Sequence, residues 1–243
     1  MNIIKLDATA STNAYLRTML TSCDLENFTT IVTENQFAGQ GQRGTTWVSE
    51  AGSNLTFSVL MKSESEAIQR IFDLNALVAL CVATTLKKIA NLPFFIKWPN
   101  DILSANKKIS GILIENSIKS NGEIYSIVGI GINVNQKQFP AMSKASSLAL
   151  LTGESWDKET LLHELLAALK EGYEALQGGG VRSVWEGYTT LLYRKDRVST
   201  FELPNGARFN GMIKAVTPYG KLVVDVENQG KTEFGLKEIQ LLY

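Results

Sequence analysis

Two short segments carry most of the chemistry that this sequence can do: Lys97-Trp98-Pro99-Asn100-Asp101, and Lys108-Ile109-Ser110-Gly111-Ile112-Leu113-Ile114-Glu115. Two lysines, an amide and a carboxylate stand close together in a stretch that otherwise reads as buried strand. Phe94, Phe95 and Ile96 lead into Lys97, and Ile109, Ile112, Leu113 and Ile114 surround Gly111. A lysine held at the end of an apolar strand loses hydration and rotamer freedom, so it calls for an anionic partner. Snorkelling to the surface is the plainer alternative, but Trp-Pro-Asn-Asp is not a generic strand end.

Two glycine-bearing segments add to the set. Gly39-Gln40-Gly41-Gln42-Arg43-Gly44 matches the pattern G-x-G-x-x-G and follows a strand. A dinucleotide fold would need a helix to open directly after it. Here Thr45-Thr46-Trp47-Val48-Ser49 follows instead, so that reading fails. A protein-kinase reading fails too, because no H-R-D or D-F-G segment follows. What survives is a loop whose backbone amides could wrap an anion, with Trp47 at its end arguing for closure onto something. In Gly129-Ile130-Gly131-Ile132-Asn133, glycines within a strand point to close approach of a ligand or another backbone, or to a bulge.

The bulk properties exclude several classes. Lysine plus arginine number 24 and aspartate plus glutamate 24, for a formal charge of zero, which leaves no electrostatic footprint for DNA or an anionic membrane. The single histidine, His163, sits in a helical run, which disfavours histidine triads and histidine-rich zinc sites. Cys23 and Cys81 lack any partner spacing and read as reduced thiols of a cytoplasmic protein. The N-terminus lacks a signal-peptide plan and no apolar stretch is long enough to span a bilayer.

The positioning elements follow from periodicity. Strands are expected over residues 29–33, 54–61 and 94–97, and helices over 71–89, 157–176 and 181–192. Residues 109–119 and 123–134 flank Asn121-Gly122 and read as a hairpin. A two-residue turn would set Gly111 opposite Ile132 and Ser110 opposite Asn133. From Arg197 the period becomes two, with strands expected over 198–203, 207–216, 222–226 and 232–236. The expected architecture is therefore α/β (α+β): a mixed sheet with packed helices over residues 1–193, and a small C-terminal β-barrel-like domain over 194–243. The hairpin edge offers a surface on which a homodimer could form.

In order along nearly the whole chain, Ser11-Thr12-Asn13, Gln36, the Gly39-to-Gly44 loop, Trp47, Lys97-to-Asp101, Lys108-to-Glu115 and Gly129-to-Asn133 resemble the biotin protein ligase family, the biotin–[acetyl-CoA-carboxylase] ligases. The resemblance implies that ATP and biotin are substrates, with Mg²⁺, and that biotinyl-5'-adenylate is the intermediate. Biotin then passes to a lysine of a biotin carboxyl carrier protein. By the same resemblance, Lys108 and Lys97 are the catalytic cations. Ser11, Thr12, Asn13, Gln36, Gly39, Gln40, Gly41, Gln42, Lys108, Gly111, Leu113 and Gly129 are implied to contact biotin. Arg43, Trp47, Lys97, Asn100, Asp101, Lys108 and Asn133 are implied to contact ATP, with Asp101 facing the Mg²⁺ carried by ATP.

The loop departs from the family's Gly-Arg-Gly-Arg-x-Gly, because Gln40 and Gln42 stand at both arginine positions. Arg43 is adjacent, although alternation along an extended loop could aim it elsewhere. Ten residues before Ser11 are too few for a DNA-binding domain, so a DNA-binding regulator is disfavoured. A non-catalytic biotin-sequestering protein would not need Lys97, Asp101, Lys108 and Asn133. A lipoate or octanoate ligase shares the chemistry but matches these motifs less well.

Overall fold

The computed structural model describes residues 2–63, 71–139 and 144–243, the side chains of Arg43 and Ile71 excepted. A seven-stranded sheet forms the centre. Its strands are β1 (Ile3–Thr9), β2 (Thr30–Gln36), β5 (Leu55–Ser63), β6 (Phe95–Lys97), β7 (Asp101–Ser104), β8 (Lys107–Ile118) and β9 (Ile124–Ile132). Their spatial order is β1-β2-β5-β9-β8-β7-β6. β1 and β2 pair in parallel, and the other neighbours pair antiparallel. The sheet is mixed, as expected.

Strand alternation divides the core between the two faces. Phe57, Val59 and Met61 of β5 join the main hydrophobic cluster, whereas Leu60 joins a smaller one with Leu16, Ile31 and Ile127. Helix α1 (Thr12–Ser22) covers the smaller cluster. Against the larger one pack α2 (Ile71–Ala90), α4 (Lys158–Gln177) and α5 (Val181–Thr190). In α4, Leu161, Leu162, Leu165, Leu166, Leu169 and Tyr173 form one buried stripe. Asp157 caps its N-terminus by accepting from the Glu159 and Thr160 amides. The short α3 (Leu148–Thr152) lies beyond the sequence expectations. Among the described residues no helix is long and apolar enough to cross a membrane.

The hairpin forms, but its register differs by one residue from the two-residue turn. Gly111 faces Gly131 and Ser110 faces Ile132. The Lys119 amide donates to the Glu123 carbonyl and Gly122 adopts φ 88°, so three residues (Ser120, Asn121 and Gly122) make the loop. The expected Gly111–Ile132 and Ser110–Asn133 pairings are corrected accordingly.

A second sheet is antiparallel: β10 (Val198–Glu202), β11 (Arg208–Val216), β12 (Leu222–Val226), β13 (Gly230–Phe234) and β14 (Gln240–Leu242), in the order β13-β12-β11-β10-β14. β14 was not expected, being too short to show a period. Phe201, Ile213, Val224 and Ile239 of this unit belong to the same hydrophobic cluster as α2 and α4. The turn at Gly220 locks the two sheets together. The Trp98 indole donates to the Gly220 carbonyl at 2.9 Å. Gly220 has φ +81°, and a Cβ there would overlap the Phe72 ring. Gly220→Ala is therefore expected to destabilise the protein by roughly 1–3 kcal/mol, through backbone strain and overpacking. Equilibrium denaturation would measure it, and an unchanged midpoint would refute the locking role.

Candidate functional site

A cavity of about 670 Å³ opens between the two sheets, with the glycine-rich loop on its rim. Its floor is the central sheet. β6 and β7 pair Lys97 with Asp101, and β7 and β8 pair Asp101 with Gly111. The register of β7 on β8 slips between Ile102 and Leu103. That bulge sets which way Lys108 points. Strict alternation back from Gly111 and Leu113, which line the cavity, would turn Lys108 into the core. Ile109 and Ile112 both enter the core cluster instead, and Lys108 returns to the cavity face. The backbone of Lys108 is pinned beyond the bulge: its amide donates to the Lys144 carbonyl, and the Ser146 amide donates to its carbonyl.

Asp101 bridges both lysines, with Nζ of Lys108 at 2.6 Å and Nζ of Lys97 at 3.7 Å. Burial pushes the Lys97 ammonium below its ordinary pKa; Asp101 opposes this, while Lys108 and Lys144 add to it. Nζ of Lys144 and of Lys97 lie 4.2 and 5.3 Å from the centroid of the Tyr243 ring. The Tyr243 phenol is pushed up to about 12 by burial and by the Asp101 charge, so it is neutral near pH 7. Two ammonium groups thus share one carboxylate, a third (Lys144) stands near Lys97 over the Tyr243 ring, and the surplus positive charge fits a multiply charged anion. Among the described residues no three His, Cys, Asp or Glu side chains group as a metal site.

The opposite end of the cavity is polar and uncharged. Ser11 caps α1, its hydroxyl accepting from the Ala14 amide at 3.4 Å. The Gln36 side-chain carbonyl accepts from the Thr12 amide at 2.9 Å and lies 3.2 Å from the Thr12 hydroxyl oxygen. Ser58 Oγ lies 2.7 Å from Thr12 Oγ1 and 2.6 Å from Asn13 Oδ1. A Cβ at Gly129 would overlap the Asn13 amide, so only glycine admits Asn13 there. Trp47 lies over Gly131 and Gly111, with Nζ of Lys108 5.6 Å from its ring centroid. Its Nε1 is buried, with no hydrogen-bond partner among the described residues.

Most of the expected residues converge on this cavity: Ser11, Thr12, Asn13, Gln36, Gln40, Gly41, Gln42, Trp47, Lys97, Asn100, Asp101, Lys108, Gly111, Leu113 and Gly129 all line it. Trp47, expected at the nucleotide, sits among residues expected at biotin. Gly39 and Asn133 are not among the lining residues. Gly39 packs against Gln36 and Trp47, pairing with Trp47 across the ribbon of β3 (Gly39–Gln40) and β4 (Thr46–Trp47). The Asn133 amide donates to the carbonyls of Ser146 (3.0 Å) and Lys108 (3.4 Å), holding the Lys108 backbone from behind. The Arg43 side chain lies outside the described residues. Asn100 does more than line the cavity: its amide donates to the Ile112 carbonyl at 2.6 Å, tying β7 to β8. Sequence reasoning missed Ser58, Lys144 and Tyr243. Ser58 had a readable signal, as a hydroxyl inside an apolar strand on the face opposite Phe57 and Val59.

The model of the biotin/lipoate A/B protein ligase family matches residues 6–135. The chain is 30% identical over 218 residues to the bifunctional ligase/repressor BirA of Bacillus spizizenii, covering 87% of this chain and 64% of that protein. It therefore spans less than two thirds of that relative's length. It is 27% identical over 222 residues to the biotin–[acetyl-CoA-carboxylase] ligase of Mycobacterium tuberculosis, covering 90% and 81%. Among solved structures, biotin protein ligase from Aquifex aeolicus in complex with biotin and ATP superposes with a TM-score of 0.82 at 26% identity, covering 99% of this chain and 98% of that one.

Proposed function

The chain belongs to the biotin/lipoate A/B protein ligase family, and from that premise we propose that it is a biotin–[biotin carboxyl carrier protein] ligase. One observation carries the reading. A cationic cluster on Asp101 and a polar, uncharged pocket at Thr12, Asn13 and Gln36 stand at two ends of one cavity. A cyclic urea needs fixed hydrogen-bond partners, which an apolar acyl chain such as lipoate would leave unpaired at a cost. Biotin therefore fits that end better.

In the first step the biotin carboxylate attacks the α-phosphorus of ATP and pyrophosphate leaves. Lys108 reduces the repulsion between the two anions and stabilises the added charge on the α-phosphate oxygens. Lys97 takes the phosphates on the other side of Asp101. The oxygen donor of Asp101 fits a Mg²⁺ that arrives on ATP and keeps several of its waters. In the second step the lysine amine of the carrier attacks the biotinyl carbonyl, and AMP leaves as the amide forms. Trp47 and the Gly39-to-Gly44 loop cover the intermediate, with backbone amides supplying contacts that Gln40 and Gln42 cannot make as cations. We assign residues 1–193 to catalysis and 194–243 to a cover over the cavity. The two free thiols suit a reducing compartment such as the cytoplasm.

Biotin-dependent exchange of labelled pyrophosphate into ATP tests the first step. Exchange with biotin but not with lipoate or octanoate is expected, and the reverse pattern would overturn the biotin reading.

The lowered pKa of Lys97 makes a pH prediction. Lys97 loses its proton as pH rises through a value below that of ordinary lysine. KM for ATP is therefore expected to rise with pH on the alkaline side, while Lys97→Arg, charged throughout, flattens the profile. Matching profiles for the two proteins would refute the assignment.

A further inference from the structure

Glu115 belongs to none of the groups assigned above to biotin or ATP, yet it is the carboxylate joined to the polar end of the cavity. Asn13 Nδ2 donates to Glu115 Oε2 at 2.7 Å, and more weakly to the Leu113 carbonyl at 3.4 Å. The other Glu115 oxygen pairs with the Arg17 guanidinium. A carboxylate paired this way can only accept, so it fixes which end of the Asn13 amide is which. The NH₂ group must face Glu115, and the carbonyl must face Ser58.

The polarity then passes along the chain of contacts. With Asn13 Oδ1 as acceptor, the Ser58 hydroxyl proton is committed to it at 2.6 Å. Ser58 Oγ is then an acceptor toward Thr12 Oγ1 at 2.7 Å. Gln36 already receives the Thr12 amide through Oε1, which leaves its NH₂ end turned toward Gly39 and the cavity. A pocket of amides and hydroxyls would otherwise be free to reverse its donors and acceptors, since each can act as either.

We propose that Glu115, held by Arg17, is a positioning residue that sets the donor and acceptor pattern of the biotin end of the cavity. It thereby determines specificity for a cyclic urea. This rests on the function proposed above. Glu115 touches no reacting atom; it acts through Asn13.

The experiment measures biotin-dependent pyrophosphate exchange by the full chain and by Glu115→Gln, Glu115→Met and Glu115→Ala, with KM for biotin, KM for ATP, kcat and melting temperature for each. Glutamine can still accept from Asn13, so it is expected to stay within about threefold of wild-type KM for biotin. Methionine and alanine cannot accept, and each is expected to raise KM for biotin at least tenfold. KM for ATP should stay within about twofold, and a merely structural role would move both. If Glu115→Met does not fold, Glu115→Ala gives the same ratio. Unchanged KM for biotin in Met and Ala, equal changes for both substrates, or failure of Gln to rescue would overturn the proposal. Normal wild-type exchange with those results would overturn it alone; absent wild-type exchange would overturn the functional reading and this inference with it.

Discussion

Lys108→Ala is expected to slow adenylate formation by roughly 10²–10³-fold while leaving the fold intact. Its ammonium stands 2.6 Å from Asp101 and is aimed into the cavity by the bulge in β8. Removing it takes away a fixed cation where charge develops, a loss of about 3–4 kcal/mol by comparison with deletion of one oxyanion donor. It also leaves Asp101 facing the incoming phosphates with only the more distant Lys97 as counter-charge. The backbone should hold, because the bonds that pin this residue to Lys144 and Ser146 are main-chain. Single-turnover kinetics would read the rate and circular dichroism the fold. Turnover near wild type would remove Lys108 from the chemistry.

The second large effect concerns a glycine. Gly129→Val is expected to weaken biotin binding more than 100-fold and leave ATP binding within a few-fold. A Cβ at this position would overlap Asn13 Oδ1, and the branched methyls would push the amide from Ser58 and Glu115. Two to three buried hydrogen bonds would be lost or left unpaired, at about 1–3 kcal/mol each. Calorimetric titration with biotin and, separately, with a non-hydrolysable ATP analogue would distinguish the two ends of the cavity. Equal weakening of both would show general collapse rather than a local loss.

The pairing of Lys97 and Lys108 with an anion was legible because lysine at an apolar strand end is costly and therefore informative. Lys97 and Lys108 meet on Asp101 as that cost requires. Strands β2, β5, β6, β8 and β9, helices α2, α4 and α5, and the first four strands after Arg197 were legible from period and turn residues; β1, β7 and β14 were not expected. The bulge that turns Lys108 was not legible, because Ile109-Ser110 reads as ordinary strand and only pairing with Ile102 and Leu103 reveals the extra residue. The hairpin register was missed by one because Asn-Gly serves both two-residue and three-residue loops. The bonds of the Asn133 NH₂ group to the Ser146 and Lys108 carbonyls were not legible, because only three-dimensional neighbours reveal them. Ser11 carries its own local explanation as a helix cap. The Glu115–Asn13–Ser58 relay joins residues far apart in sequence, so no spacing could announce it.

The most direct measurement of the central claim is the intact mass of a biotin carrier domain after incubation with this protein, biotin and Mg·ATP. A mass increase of one biotin amide on a single lysine is expected, absent when ATP is omitted. An unmodified carrier domain in the complete mixture, with biotin still bound by the protein, would contradict it and mark the cavity as one that holds biotin without transferring it.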